Sequence, residues 1–409
     1  MPPAEGGGME ISMKKTYTVT FFTCAVVIAV VLAAVLSFHK SENKTLKVGF
    51  IYVGDASTSY TNNFIEVQNA IADKYGKQVK TIAMCNVAEG TEEEYLERLI
   101  DSGCELIIAT SYNYGVTMKK LAEKYPDIEF CMATCSNANE EPRLENYHTF
   151  MGAIYQGRYT AGVAAGMKLQ ELIDNGTITK EQAKIGYVAA YPYAEVISGY
   201  TAFLLGVRSI VPDAVMSVRY TNNWNDYLTE KKYAKEFIDE GCVIISQHSD
   251  TTGPATACEA TDSDTPVYIV SYNESMANVA PTTYLTGCKI NWEPYVTGAV
   301  ESVLKDKKIE ENVKGNVVGN DMGAGFEEGW VEMLELNELV AAKGTKAKMQ
   351  EVINGFKKGK IQVFQGDYIG VDPEDPKDTC NLKKGYIENE NSSAPTFHYV
   401  LKDVITVEE

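Results

Sequence analysis

Residues 47–51 read KVGFI, and residues 184–188 read KIGYV. A second pair of segments follows at nearly the same distance, since LIDSGC at residues 99–104 is matched by FIDEGC at residues 237–242. The two offsets are 137 and 138 residues. Two matches at almost one spacing indicate that the same architecture occurs twice along the chain.

Each copy alternates short apolar runs with helical patterns. Strands are predicted at residues 48–53, 79–85, 105–109 and 128–133, and again at 185–190, 215–220, 243–246 and 267–270. Helices are predicted at residues 63–75, 92–102, 194–211 and 229–240. Gly103 and Gly241 are expected to end two of these helices in a left-handed conformation. The pattern predicts an α/β fold of two Rossmann-like lobes, each with a parallel sheet covered on both faces.

The composition excludes some classes of partner. The formal net charge is −19 and the pI is near 4.8. Binding to nucleic acid needs clustered Lys and Arg, so we expect no nucleic-acid partner. The nine cysteines include no C-x-x-C pair and no spacing typical of a zinc or redox site. We therefore expect no metal and no cofactor, whereas disulfide pairing stays open.

Residues 1–43 are predicted to be an N-terminal tail followed by a signal or transmembrane anchor. Residues 19–38 carry no charge and follow Lys14 and Lys15. At ~1.5 Å per residue this run reaches across a ~30 Å hydrocarbon core. Its length, without a small-residue cleavage site, favours an uncleaved anchor over a cleaved signal. Lipidation at Cys24 is a further alternative. The segment predicts a protein at the extracytoplasmic face of a cell membrane.

The candidate binding residues cluster beyond the predicted strands. In open α/β sheets, ligands bind outside the carboxyl ends of the strands. The residues there are rich in aromatic, amide and carboxylate side chains and poor in Lys and Arg. Such a rim suits a neutral, planar, nitrogen-rich ring and disfavours a phosphate or carboxylate ligand. The candidate ligand-binding residues are Tyr60, Asn62, Tyr112, Asn113, Trp224, Asp226, His248, Asp250, Asn273 and Trp292. For Trp292, packing at the hinge between the lobes is an equal alternative.

His248 and Asp250 raise the alternative of an enzyme. Their spacing would place both side chains on one face of a strand, as general-base chemistry could use. However, they follow the end of the predicted strand, and no nucleophile motif or paired carboxylates accompany them. We therefore predict a binding protein with no catalytic residues.

The chain resembles the basic membrane protein family of ABC-transporter solute-binding proteins, which includes purine nucleoside receptors. The resemblance runs from about Leu46 to Thr406. It is carried by IGYVAA at 185–190, NNWND at 222–226, QHSD at 247–250, YN at 272–273 and GKIQVF at 359–364. It implies the periplasmic-binding-protein type I fold, in which the chain crosses three times between lobes. Lobe 1 would then comprise residues 46–151 and 285–320, and lobe 2 residues 152–284 and 321–406.

The same resemblance implies how the site works. Family members hold a base between one aromatic side chain from each lobe, which corresponds here to Tyr60 and Trp224. An acidic residue of the family corresponds to Val116, so its hydrogen bond to the base is either missing or supplied by Asn113. An Asp that grips ribose corresponds to Asn273, which leaves open whether the ligand is a purine nucleoside or a nucleobase.

The resemblance also implies the partners. They would be a small-molecule ligand and the permease and ATPase subunits of an ABC importer. Independently of the resemblance, the sequence shows no oligomerisation element, so we expect a monomer, and the apolar run at residues 19–38 is expected to hold it to the membrane. Two alternatives remain open: a ligand-sensing ectodomain that reports to a signalling partner, and an extracellular nucleoside-processing enzyme.

Overall fold

The computed structural model describes residues 45–408. The predicted tail and signal or anchor at residues 1–43 lie outside the described residues. Within residues 45–408, none of the helices combines the length and the apolar character needed to cross a bilayer.

Seventeen strands are present within residues 45–408. In chain order they are β1 Leu46–Ile51, β2 Val79–Met84, β3 Leu106–Ala109, β4 Glu129–Ala133, β5 Tyr147–Gly152, β6 Lys184–Ala189, β7 Val215–Tyr220, β8 Ile244–His248, β9 Tyr268–Tyr272, β10 Tyr284–Ile290, β11 Asn316–Val318, β12 Asp321–Ala324, β13 Val331–Met333, β14 Ile369–Val371, β15 Thr379–Asn381, β16 Val400–Leu401 and β17 Ile405–Glu408.

The strands form two seven-stranded sheets. The first has the order β11-β12-β5-β4-β3-β1-β2, and the second β13-β10-β9-β8-β6-β7-β17. Every pairing in them is parallel except β11 with β12 and β13 with β10, which lie at one edge of each sheet. The strands β14, β15 and β16 form a small third sheet. The prediction of two α/β lobes with parallel sheets is confirmed.

Ten helices cover the faces of the sheets within residues 45–408. They are α1 Ser59–Tyr75, α2 Glu92–Asp101, α3 Gly115–Lys124, α4 Ile154–Asp174, α5 Ala194–Arg208, α6 Tyr227–Asp239, α7 Gly253–Glu259, α8 Glu293–Leu304, α9 Ile309–Asn312 and α10 Thr345–Lys357. Short 3₁₀ turns connect several of these elements. Because both faces of each sheet are covered, strands such as β3 are buried along their whole length.

The repeated sequence motifs contact each other in both lobes. Gly103 and Gly241 have φ of 79° and 87°. Each ends its helix in the same way, because the next amide, Cys104 or Cys242, donates to the carbonyl five residues back. Phe237, the first residue of FIDEGC, packs on Gly186 of β6, where an added Cβ would lie 2.5 Å from it. Leu99, the first residue of LIDSGC, packs on Gly49 of β1 in the same way. The repeated motifs therefore encode the end of one helix and its packing on β1 or β6.

The chain crosses between the lobes three times, and two crossings lie later than predicted. Residues 285–290 belong to β10 of the second sheet, because they pair with β9 and not with lobe 1. Residues 321–324 form β12, which pairs with β5 in the first sheet. The sheets thus place the second crossing near residue 291 and the third between residues 325 and 330, rather than at 285 and 321.

Helices α4 and α5 approach each other unusually closely beside the first crossing. A Cβ at Gly162 would lie 2.1 Å from the carbonyl oxygen of Phe203, and a Cβ at Gly206 would lie 2.1 Å from that of Tyr159. The backbones can therefore meet only because neither glycine carries a side chain.

A buried histidine links β4, β5 and α9 of the first lobe. His148 on β5 is 3% exposed, and its ring nitrogens contact the carboxylates of Glu129 and Glu310. Burial acts to lower the pKa of this imidazole, but the two carboxylates outweigh it and raise the pKa of His148 to about 9. The folded chain thus keeps a proton that the unfolded chain releases near pH 6.5.

We expect this group to make stability depend on pH. Its contribution is complete below pH 6.5 and is lost as the pH rises through about 9, with a size on the order of 3 kcal/mol. Urea unfolding at pH 6 and pH 9 should show that His148→Gln removes this part of the pH dependence. An identical pH dependence in the variant and the parent chain would contradict the assignment.

Candidate functional site

A cavity lies between the carboxyl ends of the two sheets. Its volume is about 70 Å³, counted as the space that the centre of a water molecule can occupy. Because one water needs only ~10–15 Å³ on this measure, the space is that of a small molecule. The cavity is lined by Val53, Tyr60, Glu89, Thr110, Ser111, Tyr112, Asn113 and Thr134 of lobe 1, and by Tyr193, Glu195, Trp224, Asp250, Tyr272 and Asn273 of lobe 2.

Every lining residue ends a strand or lies in the segment that follows one, as the parallel topology requires. The structure brings together six of the ten candidate residues of the sequence analysis at this cavity. They are Tyr60, Tyr112, Asn113, Trp224, Asp250 and Asn273.

Two candidates, Asn62 and Asp226, lie outside the cavity lining. Asn62 is on α1 and donates a hydrogen bond to Glu66, one turn later on the same helix. Asp226 precedes α6 and accepts hydrogen bonds from the amide and hydroxyl of Thr229, so it caps the helix. The structure therefore gives both residues local roles in their own helices, away from the cavity lining.

The other two, His248 and Trp292, lie behind the walls of the cavity. His248 is fully buried, with its ring centroid 4.5 Å from that of Tyr272 and 6.4 Å from that of Trp224. Trp292 is 1% exposed and stacks on Phe64 at 4.5 Å. Burial beneath other aromatic side chains keeps both from the ligand space, so they support the lining instead of forming it.

Aromatic side chains from both lobes face the cavity. Tyr60 of lobe 1 is held in place because its hydroxyl donates to the carbonyl of Thr110 and its ring meets Trp292 edge-on. On lobe 2, Trp224 lies 6.3 Å from Tyr193 between ring centroids. Tyr193 in turn approaches Tyr112 across the cleft at 6.5 Å. A ligand in the cavity would thus meet aromatic side chains from both lobes.

The lobes touch each other beside the cavity. The hydroxyl of Ser59 donates to Asp250 at 3.4 Å, and the amide of Asn63 donates to the backbone carbonyl of Asn273 at 3.1 Å. Both donors are on α1 of lobe 1, and both acceptors follow strands of lobe 2. The first two turns of α1 therefore join the lobes across the cleft.

Strained backbone accumulates at the strand ends. Thr134 and Asn273 both line the cavity and have φ of 64° and 65°. Asn86 and Asn222, which follow β2 and β7, have φ of 56° and 54°. Residues other than glycine rarely adopt this conformation, and such residues concentrate at binding sites. Three further residues with positive φ, Asp306, Asn389 and Asp403, lie away from the cavity, so this conformation occurs at the cavity without being confined to it.

The electrostatics of the cavity are acidic. Three carboxylates line it, those of Glu89, Glu195 and Asp250, whereas no Lys, Arg or His of residues 45–408 does. Burial and then the nearby carboxylate of Glu230 raise the pKa of Asp250 to about 7. Burial and the neighbouring guanidinium of Arg158 lower the pKa of His248 to about 4, so its ring is neutral.

A separate group of side chains could hold a metal ion. Asp372, Asp378 and His398 place their ligand atoms within 4.8 Å of one another. They lie beside the strands of the small third sheet and are partly or fully exposed. None of them lines the cavity, so this group adds nothing to the chemistry between the lobes.

One family model and several known proteins match the chain. The sequence model of the family described as ABC transporter substrate-binding protein, PnrA-like, matches residues 45–363. A purine-binding protein of Brucella abortus is 29% identical over 342 residues, which cover 83% of this chain and 89% of that protein. A putative ABC transporter glucose-binding protein of Haloferax volcanii is 32% identical over 266 residues, covering 64% of this chain and 62% of that protein.

A solved structure shows the same fold. The solute-binding protein of an ABC transporter system from Aeropyrum pernix superposes with a TM-score of 0.63. The match covers 77% of this chain and 92% of that chain, at 16% sequence identity. At this identity the likeness concerns the fold alone, and it confirms the predicted periplasmic-binding-protein type I architecture.

Proposed function

The chain belongs to the family of PnrA-like ABC transporter substrate-binding proteins, and on that premise we propose that its interlobe cavity binds a purine nucleoside or a purine base for an ABC importer. The ligand would pass to a permease driven by a separate ATPase. Substrate-binding proteins of this class act outside the cytoplasm. In this proposal residues 19–38 anchor the chain, a monomer, at the outer face of the membrane.

The observation that carries the proposal is the pair of aromatic walls. Tyr60 and Tyr112 of lobe 1 face the same small cavity as Tyr193 and Trp224 of lobe 2. Stacking of a base on an aromatic side chain contributes ~1–3 kcal/mol, and it needs only a flat π-face on the ligand. A purine meets this requirement and also carries nitrogen atoms that can bond the polar lining.

The charges of the lining agree with this choice of ligand. A phosphate or carboxylate ligand would need a cationic partner, and no described cationic side chain lines the cavity. The relative from Brucella abortus is named for purine binding, whereas the relative from Haloferax volcanii is named for glucose. A sugar is therefore the competing ligand that an experiment has to exclude.

Thermal unfolding of the full chain in mild detergent tests the proposal. Adenosine, guanosine, adenine and glucose are added separately, and the unfolding temperature is measured. We expect a purine to stabilise the chain, by ~2.7 kcal/mol when its concentration is 100 times its dissociation constant. Stabilisation by glucose and by none of the purines would overturn the purine assignment and leave the fold intact.

Product analysis of the same samples and uptake measurements in cells separate transport from the two alternatives. Release of a free base from a bound nucleoside would indicate a nucleoside-processing enzyme. Loss of purine uptake in cells that lack the chain would support the transport role. Unchanged uptake, together with an altered transcriptional or behavioural response to purines, would favour the sensing ectodomain.

A further inference from the structure

The three carboxylates of the cavity differ in the hydrogen bonds that they accept from the protein. Glu89 accepts hydrogen bonds from the hydroxyl of Ser111 and from the amide of Asn113, the latter at 2.8 Å. Asp250 accepts two long bonds of 3.4 Å, from Ser59 and Asn273. Both carboxylates thus already accept hydrogen bonds from the protein, Glu89 within lobe 1 and Asp250 partly from across the cleft.

Glu195 is different because its carboxylate is nearly without a donor among residues 45–408. It lies in the first turn of α5, and its side chain is 22% exposed and faces the cavity. Its carboxylate lies 3.5 Å from Nε2 of His248. The His248 ring is neutral and fully buried, so it offers at most one weak hydrogen bond and no charge.

An ionised carboxylate can only accept hydrogen bonds. In a partly enclosed cavity it loses water when a ligand enters, and this loss is costly unless the ligand supplies an N–H or O–H donor. An exocyclic amino group of a purine is such a donor. A hydrogen atom at the same ring position is not, and an oxo group places a second acceptor against the first.

Resting on the proposed function, we propose that Glu195 is a specificity-determining residue, which selects purines that carry an exocyclic amino group over otherwise identical purines that lack it. Its carboxylate accepts the amino N–H inside the cavity. The aromatic walls stack the ring whether or not the amino group is present, so they provide affinity without this discrimination.

Two matched pairs of nucleosides measure the selection. Guanosine differs from inosine only by the amino group at position 2, and adenosine differs from purine riboside only by that at position 6. We expect the amino member of at least one pair to bind the full chain at least about tenfold more tightly in isothermal titration, as for a hydrogen bond to a charged group. Ratios near one in both pairs would overturn the inference.

Variants of Glu195 assign the selection to this residue. In Glu195→Ala the ratio should fall to about one, and Glu195→Gln, whose amide oxygen still accepts, should give an intermediate ratio. A residue with only a structural role would weaken both members of a pair equally and leave the ratio unchanged. A ratio that persists in Glu195→Ala would therefore also overturn the inference.

The control has the same change of charge outside the cavity. Glu123 is exposed on α3, and Glu123→Ala should keep the parental ratio.

Failure of the inference can be told apart from failure of the proposed function. If no nucleoside or purine base binds the parent chain, the proposed function itself is wrong; if nucleosides bind with ratios near one, only the selection by Glu195 is wrong.

Discussion

Trp224→Ala is expected to weaken binding of the preferred purine by about 10- to 100-fold, because it removes the lobe 2 face on which the ring would stack. Trp224 follows β7 in a loop, and its side chain is only partly buried. The free energy of unfolding of the chain without ligand should therefore change little. Isothermal titration gives the affinity, and urea unfolding gives the stability.

A second aromatic residue nearby serves as the matched control for Trp224. Tyr227 begins α6, is 38% exposed and does not line the cavity. Tyr227→Ala should leave the affinity within about twofold of the parent chain, as for a surface substitution away from the ligand. If Trp224→Ala folds normally and binds as tightly as the parent chain, Trp224 is not part of the ligand site.

Gly206→Ala is expected to destabilise the chain by about 3 kcal/mol, the upper end of the usual cost of overpacking. A Cβ at this position would lie 2.1 Å from the carbonyl oxygen of Tyr159 and 3.1 Å from the amide nitrogen of Val163. Both atoms belong to the backbone of α4, so one helix must move. The better helix propensity of alanine returns only about 1 kcal/mol. Urea unfolding followed by circular dichroism measures the difference.

Gly355→Ala is the control for this substitution, because it makes the same change in another helix. A Cβ there would lie 2.6 Å from Cδ1 of Ile361, the far end of a side chain that can rotate away. We expect a change of less than about 1 kcal/mol, since no backbone has to move. Equal stability of Gly206→Ala and Gly355→Ala would show that α4 and α5 can separate at little cost.

The architecture was predictable because it rests on local patterns that occur twice. The pairs KVGFI with LIDSGC and KIGYV with FIDEGC each encode a strand, a helix end and the contact between them. Two later strands, β10 and β12, were missed as members of their sheets. Residues 285–290 were assigned to lobe 1 and residues 321–324 to lobe 2, and only pairing with distant strands shows that they belong to the opposite sheets.

The candidate site was predictable in part. Strand ends identified Tyr60 and Trp224, because parallel topology alone places such residues at one edge. Glu89 and Glu195 were missed, since an acidic residue in a loop or in the first turn of a helix normally has a solvent or capping role. For Trp292, ligand contact and packing at the hinge stayed open in the sequence, because its burial depends on Phe64 and Phe150, which no local pattern reveals.

The positions of the tryptophans have a practical consequence for spectroscopy. The chain contains three: Trp224 in the cavity, Trp292 at the second crossing and Trp330 at the third. Trp292 and Trp330 are each 1% exposed, so solvent quenchers should reach only Trp224. Intrinsic fluorescence can therefore report ligand occupancy through one indole and rearrangement of the connecting segments through the other two, without any attached dye.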